Sequence, residues 1–431
     1  MGILLNSVNT IFWGLVMFSL IVFVHEAGHY TAARLCGMRV REFMIGLPGP
    51  NIGFTIGDTK YGVTPILLGG YALIAGMQFE SESETLANSL AVLADYGELD
   101  TQAAYRLDRV LGYEFSTDLE QLADWGTVHQ TKLKQGEHLY QMRAMDGFAR
   151  GEARRLDDSI GMIASERKKT FLGASYTKRV IMLITGAVFN LAFAITVFTV
   201  AMMMVGDLEP STTIAQTTEG SPAEANGVVA GDILISIDGQ VILTWDDFYE
   251  LIGTYNPGDT VVLVVERDEQ PVSMVITLAE GSGGRAYLGV SSASQQVPVS
   301  FSVAFRRSVG FIGFVAIAIV GLFNPATFGE TISQSSSVVG ISVEASNAAA
   351  AGFMPFIILA AALSISIGLM NLLPLPPLDG GKIVLETIQR IIKRPIPMKI
   401  ITSISLFVLV LFGLLFVVVT WQDIQRYILG G

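Results

Sequence analysis

The sequence predicts a polytopic α-helical membrane protein of about four spans. It is expected to carry a membrane-associated β-hairpin region, an extracytoplasmic mixed α+β domain and a helical cytoplasmic insertion. Three observations predict this class. Half of the 431 residues are hydrophobic (51%), only 15% are charged, and the mean hydropathy is +0.52, values that suit long apolar helices better than a globular domain. The apolar residues gather in separate runs, each long enough to cross a hydrocarbon core of about 30 Å. The charge is also segregated. Residues 31–179 hold 17 Lys/Arg, whereas residues 207–300 hold 2 against 14 Asp/Glu, which accounts for the net charge of −12. No basic surface on the acidic segment suggests a nucleic-acid partner.

The first span, about Ile11–Leu35, carries His25-Glu26-Ala27-Gly28-His29. On a helix, residues four apart leave the same face, so two imidazoles can hold one zinc ion there. Glu26 lies beside them, placed to take a proton from water rather than to ligate. Between Ile11 and Val24 the run is apolar apart from Gly14 and Ser19, so the motif continues a membrane-like helix. Ionisable residues at that depth are costly and usually functional. A carboxylate partner is available 350 positions on, in Leu378-Asp379-Gly380-Gly381, closing a second apolar run behind Asn371-Leu372-Leu373-Pro374. Two histidines and one carboxylate leave a fourth position open for water, as a catalytic zinc site requires.

On these two motifs the chain resembles the site-2 proteases, the zinc intramembrane proteases, and most of all the bacterial branch with an extracytoplasmic PDZ domain. The resemblance implies His25, His29 and Asp379 as Zn2+ ligands and Glu26 as the catalytic acid/base. It implies single-span membrane protein substrates, among them anti-sigma factors and signal-peptide remnants, and a bacterial plasma membrane as the location. Two other readings are a soluble-type zinc protease tethered to the bilayer and a catalytically silent receptor or scaffold using the PDZ domain. Asp379 behind an apolar run argues against the first, and Glu26 beside a complete ligand set against the second.

In chain order, residues 1–36 form the first span, retained rather than cleaved because its apolar run continues into the histidines. Residues 37–79 read as hairpins, with strand-favouring residues broken by Gly and Asp-Thr. In the family the matching sheet dips into the membrane and holds a substrate extended, a role that falls on Gly69, Gly70 and Tyr71. Residues 80–172 are a polar, largely helical insertion outside the resemblance. Its His129 and His138 are nine apart with no cysteine nearby, an unpromising zinc site. Residues 176–206 hold the second span, where Asn190 follows Gly186-Ala187 and is expected to face the bundle interior. Asn190 and Asn371 are candidates to hydrogen-bond substrate or stabilise an oxyanion.

Residues 207–295 resemble a bacterial-type PDZ domain through Gly220-Ser-Pro-Ala-Glu-Ala-Asn-Gly227 and Gly231-Asp232-Ile-Leu-Ile-Ser-Ile-Asp238-Gly239. Such a domain takes a peptide or a substrate C-terminus along a strand edge, or excludes bulky substrates. Residues 301–350 hold Ser308–Phe323, only 16 residues long and read as interfacial or partly inserted, because a full crossing would separate His29 from Asp379. Residues 352–381 hold the third span and 382–431 a cytoplasmic connection with the fourth, about Ile401–Trp421. Basic residues near span ends (Arg34, Arg39, Arg41, Lys178, Arg179, then Lys382 to Lys399) put the insertion in the cytoplasm. Both termini and the PDZ domain then lie outside. The lone cysteine, Cys36, excludes an intrachain disulfide framework.

Overall fold

A computed structural model describes residues 2–67, 69–77, 84–133, 136–145, 147–281, 283–394 and 396–427. The chain divides into two compact units, residues 1–198 with 308–431, and residues 199–307.

The first unit opens with α1 (Gly2–Leu35), which stays helical through both histidines. Cys36, half-buried, sits in the turn that follows. Four strands come next: β1 (Val40–Ile45), β2 (Ile52–Ile56), β3 (Thr59–Val63) and β4 (Gly70–Ile74). They form one sheet in the order β2-β3-β1-β4, with β1 parallel to β3 and the other pairs antiparallel. β4 is therefore an edge strand, and it packs against α1.

The insertion adds a small sheet to the largely helical expectation. It contains α2 (Leu86–Tyr96), β5 (Glu98–Asp100), α3 (Thr101–Leu111), α4 (Phe115–Asp124), β6 (Val128–Lys132), β7 (His138–Met142) and α5 (Ser159–Arg167). The three strands pair antiparallel in the order β5-β7-β6. Its helices are amphipathic: Leu86, Leu90 and Leu93 of α2, and Phe115, Leu119 and Leu122 of α4, recur at helical spacing on buried faces. With Trp125, Tyr140 and Met142 they make a separate core, each large side chain contributing about 1.5–3 kcal/mol of burial. The strands are short and mostly polar, so only Val128, Tyr140 and Met142 face that core. Period-2 alternation over five residues is too brief to stand out.

The second unit follows α6 (Tyr176–Val205). It contains β8 (Asp207–Thr217), α7 (Pro222–Ala225), β9 (Ile233–Ile237), β10 (Gln240–Val241), α8 (Trp245–Ile252), β11 (Thr260–Arg267), β12 (Gln270–Thr277), β13 (Ala279–Glu280), β14 (Ala286–Tyr287) and β15 (Val290–Val297). Its main sheet runs β12-β11-β9-β8-β15, with β10 on β9. Val261, Leu263 and Val265 alternate inward along β11 and meet Phe248 and Ile252 of α8. A capping box between Thr244 and Asp247 starts α8, satisfying amides that would otherwise lack partners.

The first unit resumes with α9 (Phe301–Gly321), α10 (Phe328–Gln334), α11 (Val338–Ala351), α12 (Phe353–Asn371), α13 (Asp379–Ile392) and α14 (Met398–Tyr427). Five helices among the described residues are long and apolar enough to cross a membrane, where four spans were expected. The additional one is α9. It has 21 residues rather than 16, because Phe301, Val303 and Phe305 carry the apolar pattern through Arg306-Arg307. The third span also ends earlier than expected, at Asn371, and Asp379 does not close it. Pro374, Pro376 and Pro377 break the helix, and Asp379 instead begins α13.

Candidate metal centre

α1 and α13 bring three side chains together. His25 and His29 leave one face of α1, and the Oδ2 atom of Asp379 lies 3.1 Å and 3.0 Å from their Nε2 atoms. The two Nε2 atoms are 3.1 Å apart, and all three residues are buried. Among the described residues, this is the group of His, Cys, Asp and Glu whose ligand atoms come within 4.8 Å of one another. Two nitrogens and one carboxylate oxygen are the donor set of a catalytic zinc site. Burial opposes the charge on Asp379. The hydrogen bonds with His25 and His29 and the Lys382 ammonium outweigh it, holding the carboxyl well below the usual range in its ligating, ionised form.

The neighbouring groups fit a metal as well. An imidazole that ligates through Nε2 carries its proton on Nδ1 and needs an acceptor for it. For His29 that acceptor is the Met182 carbonyl, 2.8 Å away on α6. For His25 the neighbour is the amide of Asn190, whose Nδ2 lies 3.5 Å from Nδ1. The Asn190 Oδ1 is buried without a partner. Turning the amide, whose two ends are nearly identical in shape, places Oδ1 on the His25 N–H and satisfies both groups. Gly186 supplies the space. A Cβ there would stand 2.5 Å from His29 Nε2 and 2.8 Å from His25 Cε1, so any side chain would fill the place where a metal belongs. Gly28 on α1 is as tight, with a Cβ position 2.4 Å from the Thr185 carbonyl. The bare pair lets the two helix backbones meet.

The model of Peptidase family M50 matches residues 13–416. The chain belongs to peptidase family M50. This M50 chain is similar along its length to several curated relatives. It is 29% identical to "Zinc metalloprotease RasP" of Oceanobacillus iheyensis, covering 96% of this chain and 98% of that one. It is 28% identical to "Probable protease eep" of Enterococcus faecalis, covering 97% and 99%. The PDZ domain of an SdrC-like protein from Listeria monocytogenes aligns at 21% identity over 20% of this chain and 88% of that one, with a TM-score of 0.18.

In this M50 peptidase the ligand group opens into a cleft of about 390 Å³, lined among others by Val22, Glu26, Tyr71 and Asn371. The Glu26 Oε2 accepts a hydrogen bond from the Ala72 backbone amide at 2.9 Å. The carboxylate is thereby tied to the edge strand β4. Gly70 lies beside it, its Cβ position 3.9 Å from Glu26 Cγ, and Gly69 stands against Val22 with φ +137°. The Tyr71 hydroxyl turns to Glu42, donating at 2.6 Å. Asn371 lines the cleft, but its side-chain amide donates to the Ile367 carbonyl of its own helix at 3.0 Å, so it is engaged locally.

Ala72, Met182, Gly186 and Lys382 were not singled out from the sequence as members of the site. Ala72 and Met182 act through backbone atoms, which no side-chain pattern reveals. Lys382 has a local signal, one helical turn after Asp379. Gly380 and Gly381 follow the same logic as Gly186: their Cβ positions fall 2.3 Å from the Leu372 carbonyl and 2.2 Å from the Pro376 nitrogen. The proline turn folds directly over the start of α13 and so fixes Asp379.

Proposed function

We propose that the chain cuts peptide bonds within or beside the transmembrane segment of single-span membrane proteins. In this reading His25, His29 and Asp379 hold zinc and Glu26 moves the proton. The protein is a zinc metalloendopeptidase of the membrane, as its family and its full-length relatives indicate. The observation that carries the residue assignment is the meeting of the three ligand atoms within 4.8 Å, with Glu26 in the same cleft.

Bound zinc supplies Lewis acidity toward water and toward the scissile carbonyl. The chain's own residues do the rest. Glu26, held by the Ala72 amide, accepts a proton from water on one oxygen and returns it to the leaving amine. Asn190 and Met182 orient the imidazoles. A substrate helix must be unwound before its carbonyl can be attacked. The free edge of β4 at Gly70–Ala72 supports an extended docking mode by added-strand pairing. In the second unit, a cleft of about 340 Å³ between α8 and residues 286–290 suits an extended peptide or a substrate C-terminus.

The proposed topology has four full crossings. Trp13 of α1 packs on Phe356 of α12; α1 carries His25 and His29, and α12 leads through the proline turn to Asp379, so the two helices cross in the same direction. An even number of crossings must then separate α6 from α12. If α9 crossed, its return would fall to α11, whose 14 residues reach only about 21 Å of a core of about 30 Å. We therefore read α9 as partly inserted, with Phe311 against Phe198 of α6. The basic residues near span ends support a cytoplasmic insertion, with both termini and the second unit outside.

The test is cleavage of a signal-peptide-like single-span substrate by purified protein in detergent, wild type beside Glu26→Gln, with zinc measured on both. Cutting within the span by wild type alone, with about one zinc per chain in each, is the expected result. Absence of zinc from both proteins after metal-replete preparation would refute the ligand assignment and favour a receptor built on the second unit.

A further inference from the structure

A second cavity, of about 540 Å³, lies between the four-stranded sheet and the inserted domain. The peptidase chemistry makes no use of it. Five cationic side chains line it, Arg39, Arg41, Lys60, Arg143 and Arg150, against two carboxylates, Glu42 and Asp58. Both carboxylates are already engaged. Asp58 is shared between Arg39, at 3.1 Å, and Arg143. Glu42 accepts from the Tyr71 hydroxyl. Arg39 is further satisfied by the Trp125 carbonyl at 2.8 Å and by Glu166 at 2.5 Å.

Three cations are left without a carboxylate partner among the described residues. Lys60 meets the side chain of Asn51. Arg150 donates to the His129 Nε2 at 3.1 Å. The Arg41 side chain has no hydrogen bond or ion pair among the described residues; burial lowers its pKa, and Asp124 and Glu42 offset this from a distance. A guanidinium nevertheless stays charged. Burial, and then the nearby Arg150 and Arg41, also hold His129 below the usual imidazole range, so it is the neutral acceptor that the Arg150 contact requires. A half-buried guanidinium with no side-chain partner, in a walled space where cations outnumber carboxylates, is an unfavourable arrangement unless an anion enters.

We propose that this cavity is a binding site for a phosphoryl group, held by Arg41, Lys60 and Arg150. Arg41, Lys60 and Arg150 against the one remaining carboxylate, Glu42, leave an excess of two positive charges, which calls for more negative charge than a single carboxylate carries. Guanidinium groups match phosphate oxygens through paired N–H donors. No Phe, Tyr or Trp lines the space, so a nucleobase would find no such ring to stack on. Occupancy would adjoin β1, because Glu42 of that strand holds Tyr71 in the metal-site cleft. The phosphoryl group could come from free phosphate or from the headgroup of an anionic lipid.

The test uses full-length, zinc-loaded protein in two arms. In detergent, inorganic phosphate is titrated by calorimetry. In nanodiscs of phosphatidylglycerol or of phosphatidylcholine alone, lipids retained on the protein are counted by native mass spectrometry. Either saturable binding of phosphate or one retained phosphatidylglycerol per chain is expected, and which arm responds identifies the source. Arg41→Gln and Arg150→Gln should each weaken that binding at least tenfold while the zinc content stays unchanged. Arg109→Gln, on the exposed face of α3, should bind as wild type. Silence in both arms would overturn the site. So would wild-type binding by both cavity variants, or an equal loss in Arg109→Gln, which would signal non-specific attraction.

Discussion

The Glu26 carboxylate and the Ala72 backbone amide are joined by a hydrogen bond of 2.9 Å, so the residue of α1 proposed to move the proton is fixed to the edge strand that borders the cleft. Phe43 is the residue opposite Ala72 on β1, while the Ala72 amide itself turns to the carboxylate. Proline at this position removes that donor and is tolerated on an edge strand. A charge-assisted hydrogen bond of this kind contributes about 1.5 kcal/mol, or about tenfold in rate. Ala72→Pro is expected to lower kcat by about that factor with full zinc content. An unchanged kcat would separate β4 from the chemistry.

Gly186 makes a stricter prediction. A methyl group there would lie 2.5 Å from His29 Nε2, a distance that real Cβ contacts do not tolerate. Gly186→Ala is expected to lose zinc to well below one per chain and to lose cleavage with it. Gly413→Ala, whose surroundings are open, should change neither. Full zinc occupancy in Gly186→Ala would mean that the ligands sit elsewhere when metal is bound.

The orientation of Asn190 can be tested by chemistry. If its oxygen accepts from His25, Asn190→Asp keeps the acceptor and retains zinc, whereas Asn190→Ala removes it. Loss of such a supporting group typically weakens metal binding about 10–100-fold, readable by competition with a chelating dye. Equal weakening in both variants would assign the essential contact to the amide nitrogen.

The second unit carries a pH-sensitive pair. The Asp232 side chain is fully enclosed and meets Arg267 at 2.7 and 2.8 Å. Burial pushes its pKa up, but Arg267 and the Val229 amide outweigh burial and hold it below the usual range. A folded pKa below the unfolded value gives stability that is complete above about pH 4 and is lost as the pH falls through the folded value. Urea unfolding of residues 199–307, followed through Trp245, should therefore show a midpoint that is steady near neutrality and falls in acid. Arg267→Gln should lower the neutral midpoint and flatten the acid limb. A midpoint independent of pH between 3 and 7 would remove the pair from the account.

How far the sequence could be read depended on whether the signal was local. His25, Glu26 and His29 share one helical turn, and the apolar run before them marks the helix as a membrane one. Asp379 was recognisable from its motif, although its position at the start of α13 was not, since that depends on the proline turn packing over Gly380 and Gly381. The strands β5, β6 and β7 were hidden because β5 pairs with residues about forty positions on and because all three are short and mostly polar. The cationic cavity was hidden for the same reason: Arg41 and Arg150 lie far apart in the chain, and only the folded chain shows that both line one space without an ion-pair partner among the described residues. The start of α9 was obscured by Arg306-Arg307, which read as the edge of an apolar run but fall inside the helix.

Cys36 is the single sulfhydryl in 431 residues, half-buried in the turn between α1 and β1 and seven positions beyond His29. These 431 residues thus offer a single thiol for labelling. A maleimide fluorophore or nitroxide attached there would report on the corner joining the histidine-bearing helix to the sheet, with no background from other thiols and no substitution needed to obtain it.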